Sequence, residues 1–338
     1  MASIVDQIAK LLGVSGATVS RALNDRPGVG SELREKIIET ARELNYTPNV
    51  TARALATSKT FNIGFFYLQK VGVPAGADPF YTEILHSVQQ VIARTDYHVA
   101  FETLTPETLS RPAEFRFVRE RRIDAMILAG PDMPAGFITA MLNADLPVVL
   151  VDNRLEFSPV NCVNSDDETG AYQVAAHLIK RGHTDISVIA GPADWASTSR
   201  RLWGYQRAAS EFGLNLCVVH MNETTIESGR EAYQQISAAY PPITAICAVN
   251  DSMAIGAIRE AKLQGKRVPG DLSIVGFDDI SWAELNDPPL TTVRIPRQQI
   301  GKEAAHRVLM LLQDPDLLAS EIIVPVIFVE RDSTSPRR

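Results

Sequence analysis

Val5–Leu23 reads VDQIAKLLGVSGATVSRAL, two short apolar-patterned segments that meet at Gly13. Ile4, Val5, Ile8, Ala9 and Leu12 recur at helical spacing, and Gly13 ends the run. Ser15 is a good N-cap for a second helix over 16–24. Two helices joined by so tight a turn predict a helix-turn-helix. In it Ala9 permits close crossing and Val14 and Val19 fill the seam. The second helix is nearly all small side chains, the slim profile needed to enter a DNA groove about 12 Å wide. A third helix follows, capped by Ser31, with Leu33, Ile37, Ile38, Ala41 and Leu44 on its buried face. Tyr46-Thr47-Pro48 cannot continue it. Asn49 then opens a short helical stretch, NVTARALATSK.

From Phe61 onward the texture changes. Apolar runs of strand length (NIGFFYL, HVAFETL, DAMILAG, PVVLVD, DISVIAG, TAICAVN and LSIVGFD) alternate with amphipathic stretches at 80–95, 166–181, 199–212 and 251–264. Continuous apolar strands separated by helices predict parallel sheets covered on both faces. There are too many strands for one small sheet, so the expectation is an α/β body of two doubly wound lobes. Ligands in such sheets bind beyond the C-terminal strand ends. The polar groups VDN at 151–153, VND at 249–251 and GFDD at 276–279 fall there.

Composition narrows the class of function. The first 60 residues carry eight Lys/Arg against six Asp/Glu, while the remainder carries 25 against 34. A mildly basic head on an acidic body places any polyanion at the head. Cys162, Cys217 and Cys247 fit neither a disulfide framework nor a metal spacing and read as reduced thiols. The six His are scattered without ligand spacing, and no cofactor or metal is expected. The N-terminus shows no signal peptide, and PVVLV and IIVPVIFV are strand-sized rather than membrane-spanning, so a cytoplasmic protein with no membrane partner is expected. No GxxxxGK[ST], GxSxG, HExxH or Rossmann GxGxxG motif is found, which argues against a helix-turn-helix fused to a sugar-processing enzyme.

The phrases GVSxATVSRALN, ELNYTPNxxARAL, DPFYTEILHSVQ, DDETGAYQVAAHLIKRGHTDISVIAGP, NDSMAIGA and VPGDLSIVGFDDI follow one another from about Ile4 to Arg331. Together they resemble the lac repressor family of bacterial transcriptional regulators. That resemblance implies a helix-turn-helix head over 1–47, a hinge helix and linker over 48–60, and a periplasmic-binding-protein-like core over 61–332. Within the core, lobe 1 is expected at about 61–161 and 291–320 and lobe 2 at about 162–290 and 321–332, with a tail at 333–338. It also implies that Gly16, Ala17 and Arg21 read bases, that Thr18 and Ser20 approach or support the phosphates, and that Ser15 and Asn24 belong to the same DNA-binding set. Arg21 is suited to the two acceptors of a guanine edge. Gly16 and Ala17 depart from the larger polar residues usual in the family, which shifts readout toward Arg21 and DNA deformability. Leu55 matches the wedge that a hinge helix inserts in the minor groove, beside Asn49 and Ala52.

In the body the resemblance assigns an effector site to Asp152, Arg201, Asn250 and Asp278, with Asp78, Phe80 and Trp195 beside them. Asp78 stands where the family more often has Asn, and Asp279 is a candidate cap for the turn that follows. Carboxylates, an amide and a guanidinium suit a polyhydroxylated ligand, a sugar or sugar derivative, the alternative being a purine or other metabolite. The expected partners are therefore a pseudo-palindromic double-stranded operator, a small-molecule effector and a second copy of the chain. The family's tetramers depend on a leucine-heptad tail that FVERDSTSPRR lacks, so a homodimer acting as a repressor is expected.

Overall fold

The computed structural model describes residues 4–23, 27–44, 46, 59–69, 78–155, 158–239 and 243–337. The chain divides after Phe61 into two compact units, taken in turn.

The head is built from α1 (Ile4–Leu12), α2 (Gly16–Leu23) and α3 (Ser31–Glu43). Gly13 adopts φ +64°, which only glycine does without strain, and lets the Val14 amide reach back to the Ala9 carbonyl at 2.9 Å. That bond closes α1. Ser15 then caps α2, its Oγ accepting from the Thr18 amide at 3.1 Å. Ile8, Ala9, Val19, Ala22, Ile37 and Ala41 form the core. Ser31 does not cap α3 as expected; it is the first helical residue. Gly30 occupies the cap position in an extended conformation and offers no side-chain bond. The hinge positions Asn49, Ala52 and Leu55, with Asn24, lie outside the described residues.

The body contains two parallel sheets. The first has β1 (Asn62–Leu68), β2 (His98–Leu104), β3 (Ala125–Ala129), β4 (Val148–Val151), β5 (Asn161–Ser165) and β11 (Glu321–Val324), in the order β11-β5-β4-β3-β1-β2. The second has β6 (Ile186–Ala190), β7 (Cys217–His220), β8 (Ala245–Ala248) and β9 (Ser273–Val275), in the order β7-β6-β8-β9. An antiparallel pair, β10 (Thr292–Arg294) with β12 (Ile327–Val329), joins the second sheet through bridges from β9 to Thr291 and from Asp278 to Arg294. Helices α4 (Pro79–Ile92), α5 (Ala135–Leu142) and α11 (Arg297–Gln313) cover the first sheet. Helices α6 (Asp167–Lys180), α7 (Ala196–Glu211), α8 (Ile226–Ala239) and α9 (Asp251–Leu263) cover the second, and the turn of helix α10 (Ser281–Leu285) follows β9.

All seven strand-length runs singled out in the sequence are strands. The lobe boundaries need correction. The chain completes a strand before it crosses, so β5 and β11 belong to the first sheet and β10 to the second. The crossings fall near 165–167, 294–297 and 324–327. The expected tail at 333–338 is, through Arg337, part of the second lobe. Ser333 is fully buried, donates to the Ile274 carbonyl at 2.6 Å and accepts from the Thr291 amide at 2.8 Å. Ser335 and Arg337 continue the seam to Ser273 and Arg181. Hydroxyls hold this segment in place, and no apolar pattern announces it.

Candidate functional site

Between the two lobes of the body lies a cleft of about 310 Å³. The N-termini of α4, α7 and α9 converge on it, those of α7 and α9 shortly after the ends of β6 and β8. Asp78 caps α4 by accepting from the Phe80 amide at 3.0 Å. Asn250 caps α9 by accepting from the Met253 amide at 2.9 Å, and its amide nitrogen donates to the Thr224 carbonyl at 3.0 Å. Trp195 stands at the start of α7. All seven body residues expected at the ligand site, Asp78, Phe80, Asp152, Trp195, Arg201, Asn250 and Asp278, line this one cavity.

Arg201 is the most constrained of them. Its side chain is 8% exposed, and Nε donates to Asp167 at 2.8 Å. Nη1 lies 3.2 Å from Asp278 and also donates to the Val249 carbonyl. The guanidinium sits 3.9 Å above the Phe277 ring. Although burial opposes its charge, the surrounding carboxylates of Asp167, Asp278 and Asp152 hold it firmly protonated. Asp167 was not foreseen as part of the site, yet a buried guanidinium demands such a counter-ion. Tyr81 was also missed. It donates to Asp152 at 3.1 Å, and burial with three neighbouring carboxylates raises its own pKa.

Backbone strain marks the same place. Asp152, Asp278 and Asp279 adopt φ +55°, +108° and +52°, conformations that cost about 1–3 kcal/mol for a non-glycine residue and cluster at ligand sites. Asp279 does not cap the next turn as the sequence suggested. Its carboxylate instead pairs with Arg294 at 2.6 Å and Arg331 at 2.7 Å. In VDN, Asp152 faces the cavity while buried Asn153 donates to the Gly130 carbonyl at 2.7 Å, pinning the loop that carries Asp132.

Burial, reinforced by Asp167 and partly offset by Arg201, pushes the Asp152 carboxyl up to about 7. An unfolded Asp titrates near 3.9, so this raised group contributes stability that is full below about pH 4 and lost as pH rises through about 7. Asp152→Asn should therefore gain on the ligand-free wild type between pH 5 and 8. A difference of about 2 kcal/mol at pH 8 allows for screening from the open side of the cleft. Parallel melting curves for the two proteins across that range check it; a constant difference would show that Asp152 is charged throughout.

In the head, Ala17, Ser20 and Arg21 are exposed on α2, whereas Val19 and Ala22 are buried. Ser15 and Thr18 share a hydroxyl contact of 2.9 Å, so both serve the helix cap itself. Gly16 lies near Val5, where an added Cβ would make only ordinary contact at 3.8 Å. Among the described residues no cluster of His, Cys, Asp and Glu could hold a metal ion, and no helix is long and apolar enough to cross a membrane.

Comparison with known proteins adds to this geometry. A family model described as bacterial regulatory proteins, lacI family, matches residues 4–49, and one for a periplasmic binding protein-like domain matches 175–334. The chain is 32% identical over 332 residues to the probable HTH-type transcriptional repressor ExuR of Bacillus subtilis (strain 168), covering 97% of each. The lac repressor dimer bound to operator and the anti-inducer ONPF is 26% identical, with a TM-score of 0.79 over 99% of both chains. A transcriptional regulator CelR–cellobiose complex is 25% identical, with a TM-score of 0.74 over 98% of this chain and 100% of that one.

Proposed function

The chain belongs to the LacI family of bacterial regulatory proteins and is a DNA-binding transcriptional repressor, and we propose that a polyhydroxylated small molecule, a carbohydrate or its derivative, controls its operator affinity from the interlobe cleft. One observation carries this reading. Seven residues spread from Asp78 to Asp278 surround a single cavity. They offer carboxylates to accept from vicinal hydroxyls, Arg201 and Asn250 for the opposite edge, and aromatic faces at Phe80 and Trp195. The cellobiose held by the similar regulator supports the choice of a sugar. A ligand touching both lobes favours one interlobe angle by its differential affinity for the two arrangements. Coupling of this kind is about 1–3 kcal/mol, a 5- to 150-fold change in operator affinity. A thermal-shift screen of the whole protein against neutral, amino and acidic sugars and against nucleosides tests the assignment. A ligand that shifts the melting temperature of wild type and Asp278→Ala equally binds elsewhere.

Operator recognition is assigned to the exposed face of α2, with Gly16 and Ala17 beside Arg21. Arg21→Ala should cost about 1–3 kcal/mol and relax discrimination at one base position per half-site. Selection of binding sites from a randomised pool reads this directly; an unchanged consensus sinks the role of Arg21. The partner in a pseudo-palindromic operator complex is a second copy of the chain. Leu263, Trp282 and Leu285 are exposed on the second lobe, the last two along a groove with Ile226 and Ile255. These are large side chains for a surface that meets only water. Sedimentation velocity at micromolar concentration decides between monomer and dimer.

A further inference from the structure

We infer that Arg297 is a positioning residue for the cleft, holding Asp278 in the conformation that aims its carboxylate at Arg201 and the cavity. Arg297 begins α11, on the first lobe, and does not itself line the cleft. Its Nε donates to Glu83 of α4 at 2.5 Å. Its Nη1 reaches across to the second lobe and donates to the backbone carbonyl of Asp278 at 2.7 Å, while Nη2 lies 3.4 Å from that of Asp279. The guanidinium is 5.7 Å from the centre of the Phe80 ring.

The choice of acceptors matters. Asp278 and Asp279 are consecutive non-glycine residues at positive φ, a strained pair that persists only where the surroundings over-determine it. The Asp278 amide is tied to the Val293 carbonyl at 2.8 Å, and the Asp279 carboxylate to Arg294 and Arg331. Arg297 adds a hold on the carbonyls of both residues. By holding the main chain it leaves the Asp278 carboxylate facing Arg201 at 3.2 Å. A planar guanidinium suits this task because its donors diverge in a fixed fork, one toward Glu83 and two toward the carbonyls. The fork also joins the helix that supplies Asp78 and Phe80 to the loop that supplies Asp278. A change of interlobe angle therefore strains the loop, and a ligand drawing Asp278 into place pulls on α4.

This inference rests on the cleft being the ligand site, but its test does not require the ligand. Amide exchange is followed by mass spectrometry in the full-length wild type, Arg297→Ala and Arg297→Lys. The expected result is exchange at least about tenfold faster in the 276–283 segment of Arg297→Ala, with the peptides of β1 and β6 unchanged. In Arg297→Lys, whose ammonium reaches one carbonyl, the expected rate lies between the two. Unchanged exchange at 276–283 overturns the inference. Acceleration spread evenly over both lobes also overturns it, since Arg297 would then be holding the fold as a whole. Failure of every compound in the thermal-shift screen counts against the cleft as ligand site and leaves the exchange result to decide Arg297.

Discussion

Arg201→Ala is expected to lower the melting temperature of the body by about 10 °C and to abolish ligand binding in the cleft. The wild-type guanidinium lies 2.8 Å from Asp167 and 3.2 Å from Asp278, and both its own side chain and that of Asp167 are almost fully buried. Removing one partner of a buried pair leaves uncompensated charge and costs about 3–5 kcal/mol. The variant also loses the bond to the Val249 carbonyl and the face of Phe277. In a domain of this size each kcal/mol shifts the midpoint by about 2–4 °C. Arg201→Lys should rescue little, because a point charge cannot replace two diverging donors and a flat stacking face. Adding Asp167→Asn to Arg201→Ala should recover part of the loss, since the neutral amide needs no counter-ion. If the double variant melts no higher than the single one, packing rather than charge explains the effect.

How far the sequence revealed this arrangement depends on what held each part together. Strands β1, β3, β6 and β8 are buried by apolar side chains and announce themselves. Strand β5, NCVNS, is as central as they are, but Asn164 and Ser165 are buried there by hydrogen bonds: Asn164 donates to the Asn153 carbonyl and to Glu321, and Ser165 to Asp167. Satisfied polar groups carry no hydrophobic period, so β5 is missing from the strand-length runs singled out above, although Cys162 lies in an apolar strand-like stretch, and the buried Ser333 was not legible. In the cleft, the acidic groups at strand ends could be read because helix N-termini and strand ends fall together in a doubly wound body. Asp167 and Tyr81 could not, since their part depends on distances across elements far apart in the chain. Asp279 shows the converse case: its place beside Asp278 suggested a cap, but two arginines from β10 and the C-terminal segment claim its carboxylate.

Gly256→Ala should damage the cleft from a position that never touches ligand. Helices α8 and α9 cross with their backbones in contact. A Cβ on Gly256 would stand 2.0 Å from the Ile226 carbonyl oxygen, and one on Gly229 would stand 2.1 Å from that of Met253. Backbone cannot rotate aside as a side chain can, so the helices must part. They would part at the end that serves the site. Ile226 and Asn250 both line the cleft, Thr225 caps the Ser228 amide at 3.1 Å, and Asn250 ties α9 to the Thr224 carbonyl at 3.0 Å. Overpacking of this severity belongs at the upper end of the usual range, about 3 kcal/mol. It easily outweighs the roughly 1 kcal/mol by which Ala favours a helix over Gly. The comparison that isolates the crossing is Gly136→Ala, on helix α5, where an added Cβ meets nothing within 4 Å. There only the propensity gain remains, and the variant should match or slightly exceed wild type in stability. Opposite signs for the two substitutions, with ligand affinity lost only in Gly256→Ala, are the expected result. If both variants melt alike and bind alike, the helix spacing is not what holds Ile226 and Asn250 at the cavity.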